Sequence, residues 1–218
     1  MYNLKKGLNI PISGSPEGTV SDSTKISHVG ILGPDYIGMK PTMMVEVGDQ
    51  VKIGSVLFED KKNPGVFFTS PAGGLIKSIN RGEKRRFISI EIEVADQENQ
   101  VEILNDSDEI LLRNLSKYGV INNFRTRPFN KTPKPNDIPN DIFVNVCDTN
   151  PLSVDPYIYL QHEIDLFNRS LMKLKEIFNC NIHVCYQNND FNNFIDGINY
   201  YNFKGPHPAG LSGTHIHF

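Results

Sequence analysis

The chain has no tryptophan and only three cysteines, Cys147, Cys180 and Cys185, none in a Cys-x-x-Cys pair. An odd, scattered set of thiols argues against a disulfide framework and for free cysteines in a reducing compartment. No apolar run approaches membrane-spanning length, and the start, MYNLKKGLNIPIS, lacks the apolar stretch of a signal peptide. Excess positive charge is missing as well. The net charge is −3 with a pI near 6.1, so nothing points to a nucleic-acid surface. Neither G-x-G-x-x-G nor a Walker A pattern occurs, and GPDYIG and SGSPEG lack the strand–turn–helix context that phosphate loops need. These absences leave a soluble cytoplasmic protein that would reach a membrane only through a partner.

Of the 218 residues, 39% are hydrophobic, enough for two modest cores. The first hundred residues are rich in strand signals. KISHVGILG, VKIGSVLFE, GVFFTS, GGLIKSI and FISIEIEV are short apolar or alternating runs parted by Gly, Pro, Asn and Asp. In the last of them alternation predicts a buried isoleucine face, Ile88, Ile90 and Ile92, with Glu91 and Glu93 in water. Arg81, Lys84, Arg85 and Arg86, broken by Gly82 and Glu83, read as a solvated hairpin tip.

The stretch Val45 to Arg86 has a specific grammar. Gly48-Asp49 and Gly54 flank Val51, and Pro71-Ala72-Gly73-Gly74 turns the chain before Leu75-Ile76. It resembles the barrel-sandwich hybrid of lipoyl and biotinyl carrier domains, in which glycines take positive φ in tight turns. Lys61 and Lys62 lie where a carrier lysine would be sought. The methionines of a biotin site are missing, since Asp60 and Asn63 flank the lysine pair. An unmodified structural half-barrel is the reading preferred; a carrier protein with a modified lysine is the alternative.

Beyond the acidic stretch from Ala95 to Asp106 the pattern becomes helical. SDEILLRNLSKYGVI, starting at Ser107, repeats Leu111, Leu112, Leu115 and Tyr118 at helical spacing and ends at Gly119. IFVNVC reads as a buried strand, Asp155 to Asn179 as a long helix with an apolar stripe, and NIHVCY as a second buried strand. That is the βαβ unit of a parallel sheet. The fold class expected is therefore an α+β two-domain chain. A barrel-sandwich hybrid spans 1–104, and a Rossmann-like α/β domain spans 105–218. Asp155 is expected to cap the long helix, with Pro156 in its first turn, and Asp148 to make an Asx-turn. Cys147 and Cys185 are expected to be buried fillers.

Seven stretches in order carry a family resemblance: MYNLKKGLNIPISG, GPDYIGMKPTMMVEVGD, VLFEDKKNPGVFFTSPA, INRGEKR, FRTRPFNKTP, DTNPLSVDP and GPHPAGLSGTHIHF. Together they resemble the NqrA family, one of the component chains of the sodium-translocating NADH:quinone oxidoreductase. The resemblance implies a peripheral chain at the cytoplasmic face of the bacterial inner membrane, partnered chiefly by a membrane subunit. It implies a complex that oxidises NADH through FAD, FMN and iron–sulfur centres held elsewhere, reduces quinone of the ubiquinone class and exports sodium. Family members run to about twice this length, so the chain is expected to be a front portion or a shortened product.

For this chain itself, no cofactor, metal or catalytic residue is expected. KYGVINNFRTRPFNK, Lys117 to Lys131, stands where related flavoproteins carry a glycine-rich loop, and after Gly119 it holds no further glycine. Val120, Ile121, Phe124, Arg125 and Arg127 would fill the phosphate's room. Arg125, Arg127 and Phe129 then face a partner subunit or a quinone; alternatively the arginines pin the loop through backbone carbonyls, Asp137 or Asp141. His207, His215 and His217 close the sequence. If THIHF is extended, His215 and His217 share a face and with His207 make three nitrogen ligands for zinc. The preferred reading is a crossing segment that sets the three histidines at an interface, where they exchange protons near neutral pH.

Overall fold

The structure is a computed structural model that describes residues 1–21, 24–95, 115–187, 191–192 and 194–218. It falls into two compact units, Met1–Ser23 with Ile138–Phe218, and Thr24–Asp137. The expected boundary at 104/105 and most of the helix expected from Ser107 lie outside the described residues; Leu115–Lys117 is helical. Residues 118–137, which the sequence groups with the α/β half, fall within the β-rich unit.

The chain opens with β1 (Tyr2–Asn3), which belongs to the α/β unit. The β-rich unit contains β2 (His28–Leu32), β3 (Pro41–Met43), β4 (Gln50–Val51), β5 (Val56–Asp60), β6 (Phe67–Thr69), β7 (Gly74–Arg81) and β8 (Phe87–Val94). They form two antiparallel sheets, ordered β2-β8-β7-β4 and β3-β5-β6. Gly48 and Gly54 sit at φ +99° and +86°, the left-handed turn positions that the motif demands. Between the sheets Phe58 stacks on Phe68 at 4.6 Å and meets Phe87 edge-on at 5.2 Å, with Leu57, Ile76, Ile90 and Ile92 fully buried around them.

The isoleucine face of β8 is broken at one place. Between Asn80/Ser89 and Arg81/Phe87 the β7–β8 register slips by a residue, so Phe87 turns inward and Ile88 is left 38% exposed. A bulge costs one pairing and inverts the alternation beyond it. The 3-10 turn Val120–Asn123 that follows Gly119 sends Ile121 into the same core. Asn122 donates to the Phe67 carbonyl at 2.7 Å, and Thr69 donates to the Tyr118 carbonyl at 3.1 Å.

In the α/β unit, β9 (Asp141–Val146), β10 (Asn181–Tyr186) and β11 (Asn199–Lys204) join β1 in a parallel sheet ordered β1-β11-β10-β9. Helix α1 (Tyr157–Leu160), a 3-10 turn at Gln161–Glu163 and α2 (Ile164–Phe178) connect β9 to β10, the expected βαβ unit. The long helix is thus interrupted: Leu171 and Phe178 are buried while Tyr159, on the same stripe by sequence, is exposed. β9 lies at the edge of the sheet with Phe143 and Val144 half-buried, whereas Ile182, Val184 and Cys185 of β10 are fully covered. Sequence patterning does not single out β1 or β11.

Removing the Phe58 ring empties the centre of the β-rich core. Phe58→Ala is expected to destabilise the chain by roughly 3–5 kcal/mol, read as a shift in the urea midpoint at unchanged slope.

Candidate functional site

In parallel α/β sheets, ligands rest beyond the carboxyl ends of the strands, where loops leave the sheet. Here that edge receives the loop after β9, beginning Cys147-Asp148-Thr149-Asn150, and the loop after β11, Gly205 to Leu211. A short helix, α3 (Ser212–His217), follows. The loops are fastened to each other. Thr149 Oγ accepts the Gly210 N–H at 3.0 Å and lies 3.1 Å from His207 Nδ1; Asn145 donates to the Gly210 carbonyl at 2.9 Å. A side chain on Gly210 would stand 2.6 Å from the Thr149 nitrogen, so glycine is required for the approach. The N-terminal segment closes the edge further: Leu8 N–H reaches the His207 carbonyl at 2.9 Å, and the Asn9 side chain accepts the His207 N–H at 3.1 Å.

The terminal histidines separate. THIHF is helical rather than extended, because Thr214 N–H and His215 N–H both bond the Leu211 carbonyl and Thr214 Oγ bonds the Pro208 carbonyl. At about 100° per residue, His215 and His217 then point to nearly opposite sides. His215 is 2% exposed, its ring 4.3 Å from Phe203, which stacks on Tyr2 at 4.9 Å. Its Nε2 donates to the Ala209 carbonyl at 2.8 Å, and its Nδ1 has no partner among the described residues. Desolvation lowers its pKa from 6.5, against a smaller upward pull from that carbonyl. His217 is exposed. His207 uses Nδ1 on Thr149. Among the described residues no three His, Cys, Asp or Glu side chains gather as metal ligands.

Of the smaller groups at this edge, Asp148 does as the sequence suggests, whereas Asp155 stands before the short α1 rather than capping the long helix, whose N-cap is Glu163. Asp148 Oδ1 accepts the Asn150 N–H at 2.8 Å, an Asx-turn, and Asp155 Oδ1 accepts the Tyr157 N–H at 2.9 Å at the start of α1. Cys147 and Cys185 are buried, and burial pushes both thiols up to about 12. Thr149, Asn145 and Asn9, which hold the His207 loop, escape sequence reasoning. Their partner strand β11 lies in a polar, aromatic stretch without an apolar run to announce it.

Arg125, Arg127 and Phe129 belong to the other unit. The segment Lys117 to Lys131 packs on the β-rich core. Arg125 bonds the carbonyls of Asn122, Phe124 and Asp35, and its guanidinium lies 5.2 Å over the Tyr36 ring. Asp137 accepts the Lys134 N–H, and Asp141 bonds His183 Nε2 at 2.9 Å and Asn181 at 3.0 Å within its own unit. Arg127 and Phe129 are exposed, Phe129 by 73%. At the β5–β6 hairpin that bears Lys61 and Lys62, Asn63 donates to the Pro133 carbonyl at 3.1 Å and Gly65 faces Pro135. A carrier lysine needs a free tip, and this one is tied down.

Both halves of the chain have counterparts among known proteins. The family described as the NqrA N-terminal barrel-sandwich hybrid domain matches residues 2–95, and the NqrA second alpha/beta domain matches residues 106–218. Proteins named as the A subunit of the Na(+)-translocating NADH-quinone reductase are similar over the whole chain. The identity is 46% for that of Yersinia pseudotuberculosis, 47% for Neisseria meningitidis and 44% for Pasteurella multocida. The chain spans about half the length of these curated relatives, 51% in each case.

The buried histidine sets a pH dependence. In the unfolded chain His215 titrates near 6.5, and in the folded chain lower. The unfolded state therefore takes up the proton first. This stability is fully present above pH 6.5 and is lost as pH falls toward the folded pKa. His215→Gln keeps a donor for the Ala209 carbonyl without titrating. Urea unfolding at pH 7.5 and 5.5 is expected to show a smaller loss in the variant than in the parent chain.

Proposed function

The chain belongs to the NqrA family, and from that premise we propose that it is a peripheral, non-catalytic scaffold portion of the NqrA component in a sodium-translocating NADH-quinone reductase. The observation that carries this reading is the match of both family domains, in order, along 2–95 and 106–218. In such a complex NADH oxidation, the FAD, FMN and iron–sulfur chemistry and sodium export belong to other subunits. This chain stands on the quinone side, at the cytoplasmic face of the inner membrane, and docks on a membrane-embedded partner. Among the described residues no helix is long and apolar enough to cross a membrane, so attachment is assigned to that partner.

The geometry supports the scaffold role. At the edge of the parallel sheet, three backbone donors are spent on the chain's own loops. Gly210 N–H is on Thr149, His207 N–H on Asn9, and Leu8 N–H on the His207 carbonyl. His207 keeps Nε2 for proton exchange at that edge, and Arg127 and Phe129 supply an exposed cation and ring for docking on the β-rich unit.

Two measurements test this. The purified 218-residue chain is expected to be colourless and to show no stoichiometric NADH binding; a yellow protein or a one-to-one NADH complex overturns the scaffold assignment. Arg127→Ala with Phe129→Ala is expected to leave urea unfolding within about 0.5 kcal/mol of the parent while reducing co-purification with the membrane subunits. Arg125→Ala, which frees three carbonyls, is expected to cost roughly 1–3 kcal/mol of stability.

A further inference from the structure

The hairpin tip that the sequence presents as merely solvated forms one wall of a cleft. The cleft has a volume of about 480 Å³ and lies wholly within the β-rich unit, between the β7–β8 turn, the loop Gly33 to Pro41 and the start of the β5–β6 turn. Six cations line it, Lys40, Lys62, Arg81, Lys84, Arg85 and Arg86, and no carboxylate does. Among the described residues none of the six is in an ion pair with a carboxylate, although acidic residues outnumber basic ones in the whole chain, 25 to 22. Cations gathered on one concave surface set up a positive potential that draws an anion in.

The cleft is also built rather than accidental. Asp60 is 8% exposed, and its Oδ1 accepts both the Lys40 and the Lys62 N–H, each at 3.0 Å. Lys61 N–H bonds the Lys40 carbonyl at 2.8 Å. One buried carboxylate therefore holds two lysines, distant in sequence, on the same wall. Opposite, Arg86 N–H bonds the Glu83 carbonyl at 3.1 Å around Lys84 and Arg85, at φ +53° and +60°. Such a turn, positive φ at both central residues, strongly favours Asn-Gly. The sequence instead keeps Lys-Arg there, at a cost in backbone strain, and both side chains line the cleft. Tyr36, Ile37, Met39 and Phe87 give it an apolar component.

We propose that this cleft binds an anionic phosphate-bearing ligand. Arginine forks match phosphate oxygens in pairs, and the volume falls in the roughly 300–1,000 Å³ range of small-ligand sites. The phosphate comes either from a soluble small molecule or from the headgroup of an anionic lipid, and both present the same chemistry to the six cations.

The test uses the full 218-residue chain with inorganic pyrophosphate in calorimetric titration. In parallel, vesicles of phosphatidylcholine with or without phosphatidylglycerol are used in co-sedimentation. The key variant is Lys84→Asn with Arg85→Gly, which installs the residues the turn prefers and so is expected to melt no lower than the parent. Saturable binding to either probe that weakens about tenfold or more in this variant, and falls as salt rises, supports the site. Pyrophosphate binding without vesicle binding assigns the soluble source; vesicle binding that needs phosphatidylglycerol assigns the lipid source. A control, Lys5→Gln with Lys52→Gln, removes the same charge away from the cleft. Equal weakening in the control, or no saturable binding to either probe, overturns the proposal.

Discussion

The α/β unit depends on a pairing between strands from opposite ends of the sequence, Tyr2 with Phe203 and Asn3 with Lys204. A parallel strand cannot be reached by a tight turn, so β1 can complete β11 only if the intervening chain folds elsewhere and returns. Once it has returned, three consequences follow from proximity alone. Tyr2 stacks on Phe203, Phe203 packs on His215, and the segment after β1 runs beside the loop after β11, where Leu4 bonds Lys204 and Leu8 bonds His207. The same pairing therefore orders the aromatic core and sets the N-terminal segment beside the loop at the carboxyl end of β11.

That long-range dependence explains what local sequence patterns convey and what they do not. The turn glycines Gly48 and Gly54, the buried Ile90 and Ile92 of β8, the Asp148 Asx-turn and the βαβ order are short-range features, and each is legible as written. The Ile88 bulge is not: it arises because Phe87 rather than Ile88 completes the contact with Phe58, a requirement set by the opposite sheet. β1 has two residues and β11 reads NYYNFK, and neither carries a periodic signal apart from its partner.

The histidine segment shows the same limit at the candidate site. Two histidines spaced by two, with β-branched Thr214 and Ile216 beside them, resemble a strand. The helix wins because Leu211 and Pro208 offer carbonyls to Thr214 and His215, and because burying one ring against Phe203 requires the other to point away. Arg125 is the converse case. Its charge suggests an outward role, yet three carbonyls and a tyrosine ring consume it, and those partners come from two segments that sequence does not bring together.

A common physical rule then separates inward from outward chemistry in this chain. Polar groups that find internal partners become structural: Thr149, Asn145, Asp60 and Arg125 all close loops of the chain itself. The cations of the β-rich cleft are held in another way: stability does not account for Lys84 and Arg85 in a left-handed turn, which disfavours the folded state, while both side chains line the cleft. A site that costs the fold something is the place to look for a ligand. By that reasoning the parallel sheet, where an α/β topology invites the search, is the less promising surface, and the cationic cleft of the β-rich unit is the more promising one.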